Sequence, residues 1–275
     1  VLRLWITTFR TQFWWGWKRS VLSRRAWIPL VGCLPLWAMQ VVVLTRRGNP
    51  HFLEKFFLYF QSWAYLSILL PLVSLYLAVS ALQDDRDGGS LVYIVSRPAP
   101  RPAVPLGRAA GAGLASLVFG GIYLAVSLSV FSLAGPSLGG GSLLPPGAPG
   151  AFFLATLVGG LCFTALGTFF GAFFKKGLLL GMALVVGWEL AAGSFLSQAQ
   201  VTGLRSLLAT DLSRQVVLLS LPETWREVVS EGLTLPEGAH MYGVLRGAGE
   251  YIAIFLLLGV MAFCLKEHPY RARER

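Results

Sequence analysis

Six stretches of this sequence, residues 26–44, 56–82, 109–134, 151–174, 177–197 and 242–265, are apolar and almost free of charge. Each is close to the ~20 residues that cross the hydrocarbon of a bilayer as a helix. A soluble core could not hide so much apolar surface. Of the 275 residues, 55% are hydrophobic and 13% charged, far from the balance of a water-soluble domain. The sequence therefore predicts an all-α membrane protein with six transmembrane helices. Only Lys175-Lys176 separate the fourth and fifth spans, which predicts a tight helical hairpin.

Charge sets the orientation. With the N-terminus in the cytoplasm, 16 Lys and Arg fall on the cytoplasmic side and seven outside. The outside residues are Arg46, Arg47 and Lys55, and then Arg205, Arg214, Arg226 and Arg246 in the last external segment or just past it. The positive-inside rule then places both termini in the cytoplasm. The net charge of +10 lies between apolar runs. It reads as membrane orientation and attraction to anionic headgroups, with no nucleic acid as partner.

Residues 1–25 are too basic and too aromatic for a secretory signal. Arg3, Arg10, Lys18 and Arg25 share one helical face, and Trp5, Phe9, Phe13 and Trp17 follow at four-residue steps on another. Trp14 and Trp15 widen the aromatic band. The pattern predicts an N-terminal amphipathic interfacial helix over 1–25, with rings at headgroup depth; an ordinary basic tail is the alternative. Residues 136–150, rich in Gly and Pro and without charge, read as an external connection. In 198–240, Val201, Leu204, Leu208, Leu212 and Val216 line one face. That segment reads as two short outer-leaflet helices or as a solvated loop.

Catalytic signatures are absent from the sequence. It holds no GxxxxGK[ST] phosphate loop and no HExxH motif, and Gly139-Gly140-Gly141 lacks the Lys-Ser a phosphate loop needs. Cys33, Cys162 and Cys264 are far apart inside apolar runs, which reads as small buried hydrophobes rather than ligands or disulfides. No metal site and no catalytic residue is predicted. Glu189 is the main ionisable group within a span. It is either a substrate or proton contact or a carboxyl bonded to a neighbouring helix. Gln40 and Gln61 read as interhelical glue, and Gly167/Gly171 and Gly177/Gly181 as pairs that permit close helix approach. Arg246 and Glu250 stand four apart and can pair.

One polar segment stands out between spans two and three. It opens with Asp84, Asp85 and Asp87, turns at Gly88-Gly89, carries an apolar patch from Leu91 to Val95, and closes with Ser96-Arg97-Pro98. A simple connection between two membrane helices needs no such patch. Residues 84–108 resemble the cytoplasmic loop of ABC-2 type permeases, the membrane subunits of ATP-binding-cassette exporters. Asp85, Asp87, Gly89, Ser90, Leu91, Ser96, Pro98 and Arg101 carry the likeness. Ser90 stands where Thr is commoner, and Asp replaces the usual Glu. The N-terminal helix, six spans and long last external segment are also similar.

The resemblance implies a cytoplasmic coupling helix within residues 83–108 that docks into a separate ABC ATPase. Leu91, Tyr93 and Ile94 would supply apolar contact. Asp84, Asp85 and Asp87 would favour the helix N-terminus or pair with the partner, with Gly88, Gly89, Ser90 and Arg97 completing the surface. It further implies a bacterial inner (cytoplasmic) membrane and two ATPase copies carrying ATP and Mg. A second permease copy or paralogue, and a periplasmic or membrane partner, are also implied. The work done is substrate export or mechanical signalling. An ion-coupled carrier or a membrane-embedded enzyme using Glu189 is the alternative.

Overall fold

The computed structural model describes residues 2–22, 27–45, 49–87, 100–137, 144, 146–185, 187, 209–223, 226 and 240–265. Among these the regular elements are all helical: α1 (Leu2–Leu22), α2 (Trp27–Thr45), α3 (Pro50–Phe60), a π-helical segment (Gln61–Leu69) and α4 (Leu70–Asp87). There follow α5 (Ala103–Ser137), α6 (Ala148–Phe173), α7 (Gly177–Leu184), α8 (Ala209–Ser220) and α9 (Met241–Leu265).

Among the described residues, four helical stretches are long and apolar enough to cross a membrane: His51–Asp84, Ala103–Ala134, Ala148–Phe173 and Met241–Leu265. They correspond to the expected second, third, fourth and sixth spans. The expected first span is α2, which has 19 residues with Pro35 inside and whose apolar part, Val31–Thr45, is shorter. The expected fifth span is described only in part, as α7 and Gly187.

Local chemistry explains the helix ends. Asn49 caps α3 by accepting from the His51 N–H at 3.1 Å, and Pro50 opens the helix with its φ already set. α6 begins after Gly147, whose φ of 84° suits glycine, and ends where Phe174 turns extended at φ −100°, ψ 145°. Lys175 and Lys176 then form the turn into α7.

The core is built around α3–α4 and α6. In each, 72% of the most apolar window is buried, against 22% in the peripheral α9. Gly167 and Gly171 set α6 directly on α4, where a Cβ at 167 would come within 2.8 Å of the Ala78 Cβ. Bilayer helices gain little hydrophobic drive from association, so such close van der Waals packing carries the contact. Thr156, Thr164 and Thr168 bond the carbonyls four residues back, at 2.7–2.8 Å, which satisfies their hydroxyls inside the bundle. Phe57 packs against Phe131 and Phe152 with centroids 4.7 and 5.9 Å away. Cys33 and Cys162 are buried thiols and Cys264 is half-buried.

Two stretches differ from the sequence reading. Residues 83–87 and 103–108, expected in the connecting loop, continue α4 and begin α5. The bundle itself satisfies the charge at Arg108, so the helix runs through it. In 198–240, α8 does place Leu212 and Val216 inward, but Asp211 and Ser213 are buried as well. The helix is packed into the bundle beside Gly159 of α6 rather than laid on one apolar face.

Candidate functional site

The last turn of α4 is braced on two sides. On one side lies α1, whose residues Gln12, Gly16 and Ser20 are buried at four-residue spacing. Gln12 and Gly16 meet the start of α5 at Gly107, Arg108 and Gly111. A Cβ on Gly107 would come within 2.8 Å of the Gln12 Cβ, and one on Gly111 within 2.7 Å of the Trp17 nitrogen. The two backbones therefore touch, and the seam admits almost no side chain between them.

Arg108 closes this seam. It is 5% exposed. Its Nε donates to Gln12 Oε1 and its Nη1 to the Ala81 carbonyl, both at 2.9 Å. One guanidinium thus ties α1, α4 and α5 together, using its fixed fork of donors. Nearer the end of α4, Arg19 Nε lies 3.6 Å from Asp84 Oδ2. That pair is partly exposed and contributes at most about 1 kcal/mol.

On the other side, Gln83 Nε2 donates to the carbonyls of Phe174 and Lys175, at 3.0 Å each. These carbonyls lie in the turn that follows α6. Gln83 therefore joins α4 to the α6–α7 turn.

Of the residues singled out in the sequence, Asp84 sits in this brace, and Asp85 and Asp87 lie in the same last turn of α4. Gly88, Gly89, Ser90, Leu91, Tyr93, Ile94 and Arg97 lie outside the described residues, as does Glu189. On α1, Trp5, Phe13 and Trp17 are half-buried, with Arg10 and Lys18 exposed. The aromatic row flanks the seam: Trp5 stacks on Phe9 at 5.7 Å and Trp17 packs against the main core. Trp14 and Trp15 are the rings that face away, about 60% exposed. Arg246 and Glu250 pair at 2.8 Å on the exposed start of α9.

Sequence reasoning missed Gln12, Gln83 and Arg108. The available signal was Gly107-Arg108-Ala109-Ala110-Gly111, a small-xxx-small pair with a cation inside it at the mouth of an apolar run. Gln12→Leu should remove the acceptor of the buried Arg108 Nε bond. Thermal unfolding of the purified chain should show a loss of about 2 kcal/mol, the scale of a hydrogen bond to a charged group. Gln12→Glu keeps the acceptor and should restore the parent stability.

The model of the family described as ABC-2 family transporter protein matches residues 17–230. No curated protein matches the chain.

Proposed function

The chain belongs to the ABC-2 transporter family, and we propose from that membership that it is the membrane permease subunit of an ATP-driven transporter. The family match across residues 17–230 carries this reading. Residues 83–108 face the cytoplasm with both termini, and α2 and α7 complete a set of six spans. A separate ABC ATPase docks on Leu91, Tyr93 and Ile94, with Asp85 and Asp87 beside it. ATP and Mg belong to that partner. Two ATPases act on two permeases, the second being another copy of this chain or a paralogue.

The brace around α4 supports the mechanical part of this reading. Closure of the ATPase pair moves the docked segment, and the segment moves the ends of α4 and α5. Arg108 and Asp84 pass that motion to α1 at the membrane surface, while Gln83 passes it to the α6–α7 hairpin. The output is export of a substrate or a mechanical signal to a periplasmic or membrane partner.

The test is purification of a tagged copy expressed together with its native genomic neighbours, followed by identification of what accompanies it. An ABC ATPase should co-purify in equal amount. A correctly inserted chain that repeatedly brings down no ATPase would overturn the assignment.

A further inference from the structure

α2 rests on the bundle through one narrow stripe. Cys33 and Gln40 are buried and Trp37 is half-buried between them, positions that share one helical face. Val31, Leu34, Met39 and Val42 are exposed. Pro35 lies inside the helix and offers no backbone N–H. Cys33 Sγ donates at 3.2 Å to the Pro29 carbonyl, within α2 itself, so it ties the helix to nothing else. An apolar groove of about 580 Å³ runs between α2 and residues 56–76, bordered by Gly32, Pro35 and Met39 on one side and by Tyr59 and Trp63 on the other. The contrast with α6 is plain. A Cβ on Gly167 would press on the backbone of α4, whereas one on Gly32 would meet only a Leu69 methyl, 3.9 Å away.

Among the described residues, one hydrogen bond joins α2 to the bundle. Gln40 Nε2 donates to the Tyr123 hydroxyl of α5 at 3.0 Å. Trp37 stacks on the same ring at 5.8 Å. Tyr123 is itself fixed from the core side. Its ring stacks on Tyr65 at 4.5 Å, and the Tyr65 hydroxyl shares a hydrogen bond with Thr156 of α6 at 2.9 Å. Gln61 and Ser127 interact with the Tyr123 hydroxyl. Tyr123 therefore belongs to the core, and the contact that can part is the one to α2. Gln40 Oε1 and Trp37 Nε1 are buried without a hydrogen-bond partner, so docking leaves two polar atoms of α2 unmet. Each unmet atom offsets part of what the contact contributes.

We propose that α2 is a gate helix, latched to Tyr123 by Gln40 and Trp37, which leaves the bundle as a unit while α3–α6 stay packed. Helices in a bilayer gain little hydrophobic drive from association, so hydrogen bonds and close packing decide which of them separate. α2 has one such bond and little close packing. Elements with few buried contacts are the ones that open locally, below the cost of global unfolding. Departure of α2 uncovers Tyr123, Gln61 and Ser127 at the side of the bundle, level with the π-helical segment. The gating role rests on the permease reading, and the latch rests on this geometry alone.

The test uses the full chain in detergent, without the ATPase, in a Cys264→Ser background that leaves Cys33 and Cys162 as the thiols. They are 4% and 0% exposed, one on α2 and the other on α6. Maleimide modification of each is followed by peptide mass spectrometry. The latch bond is broken from each side in turn. Gln40→Ala removes the donor and leaves the other contacts of Tyr123 in place, while Tyr123→Phe removes the hydroxyl and keeps both ring stacks. Modification of Cys33 should quicken about fivefold, the scale of one lost hydrogen bond, with Cys162 at the parent rate. A rise at Cys33 alone in either variant supports the latch. If neither variant gives it, whether both thiols stay protected or both respond alike, α2 is an integral part of the core and the gate is overturned. Because the opening is read without the ATPase, its failure leaves the permease reading intact, and a failure to co-purify an ATPase leaves the latch standing.

Discussion

Leu91→Asp combined with Ile94→Asp is expected to abolish recovery of the ATPase with the tagged chain. The two positions are three apart, so a helix presents them on one face. Removing a central apolar anchor from an interface costs about 2 kcal/mol or more, and two such losses weaken binding at least ~100-fold. A carboxylate forced into the same contact adds its desolvation. The control is membrane yield and unfolding midpoint, which should match the parent. An ATPase that still co-purifies with the double variant would move the docking surface away from this segment.

Gly111→Leu is expected to pull α1 off the bundle. A Cβ at 111 would press on the backbone of α1 at Phe13, Gly16 and Trp17 rather than on a side chain that could rotate away. Overpacking against fixed backbone costs about 3 kcal/mol or more. The seam should open, and with it the Gln12–Arg108 bond. Maleimide labelling of a Ser20→Cys background reads this directly, because Ser20 is 5% exposed in the parent. Labelling should rise sharply in Gly111→Leu. Gly121→Leu on the same helix is the matched control: a Cβ there meets nothing within 4 Å, so labelling and stability should stay at the parent level. Equal labelling in both variants would mean that the seam does not hold α1.

Much of the architecture was legible because a bilayer imposes one simple requirement. A helix that crosses hydrocarbon must be long and apolar, and the stretches at 56–82, 109–134, 151–174 and 242–265 meet that requirement in the sequence alone. The Gly167/Gly171 pair was readable for the same reason, since small residues are what lets α6 lie on α4. The brace was harder to read. Gln12 and Arg108 are 96 positions apart, and Gln83 and Phe174 are 91 apart. Neither pairing has a local pattern that announces it. Arg108 also misled by type: a charge beside an apolar run reads as a loop residue, until its partners are known to lie inside the bundle. The π-helical segment left no compositional trace, because Gln61–Leu69 reads as an ordinary apolar stretch with a few hydroxyls.

The glycine seam between α1 and α5 also bears on ionic strength. A segment held at a membrane surface by lipid charge is released as salt shortens the Debye length, from about 10 Å at 0.1 M to about 3 Å at 1 M. Contact between two backbones has no such dependence. The charges of Arg10 and Lys18 on the exposed side of α1 can be screened while Gly16, Gly107 and Gly111 keep the helix seated. The helix α1 is thus fastened from within, and its position follows α4 and α5 rather than the salt around it.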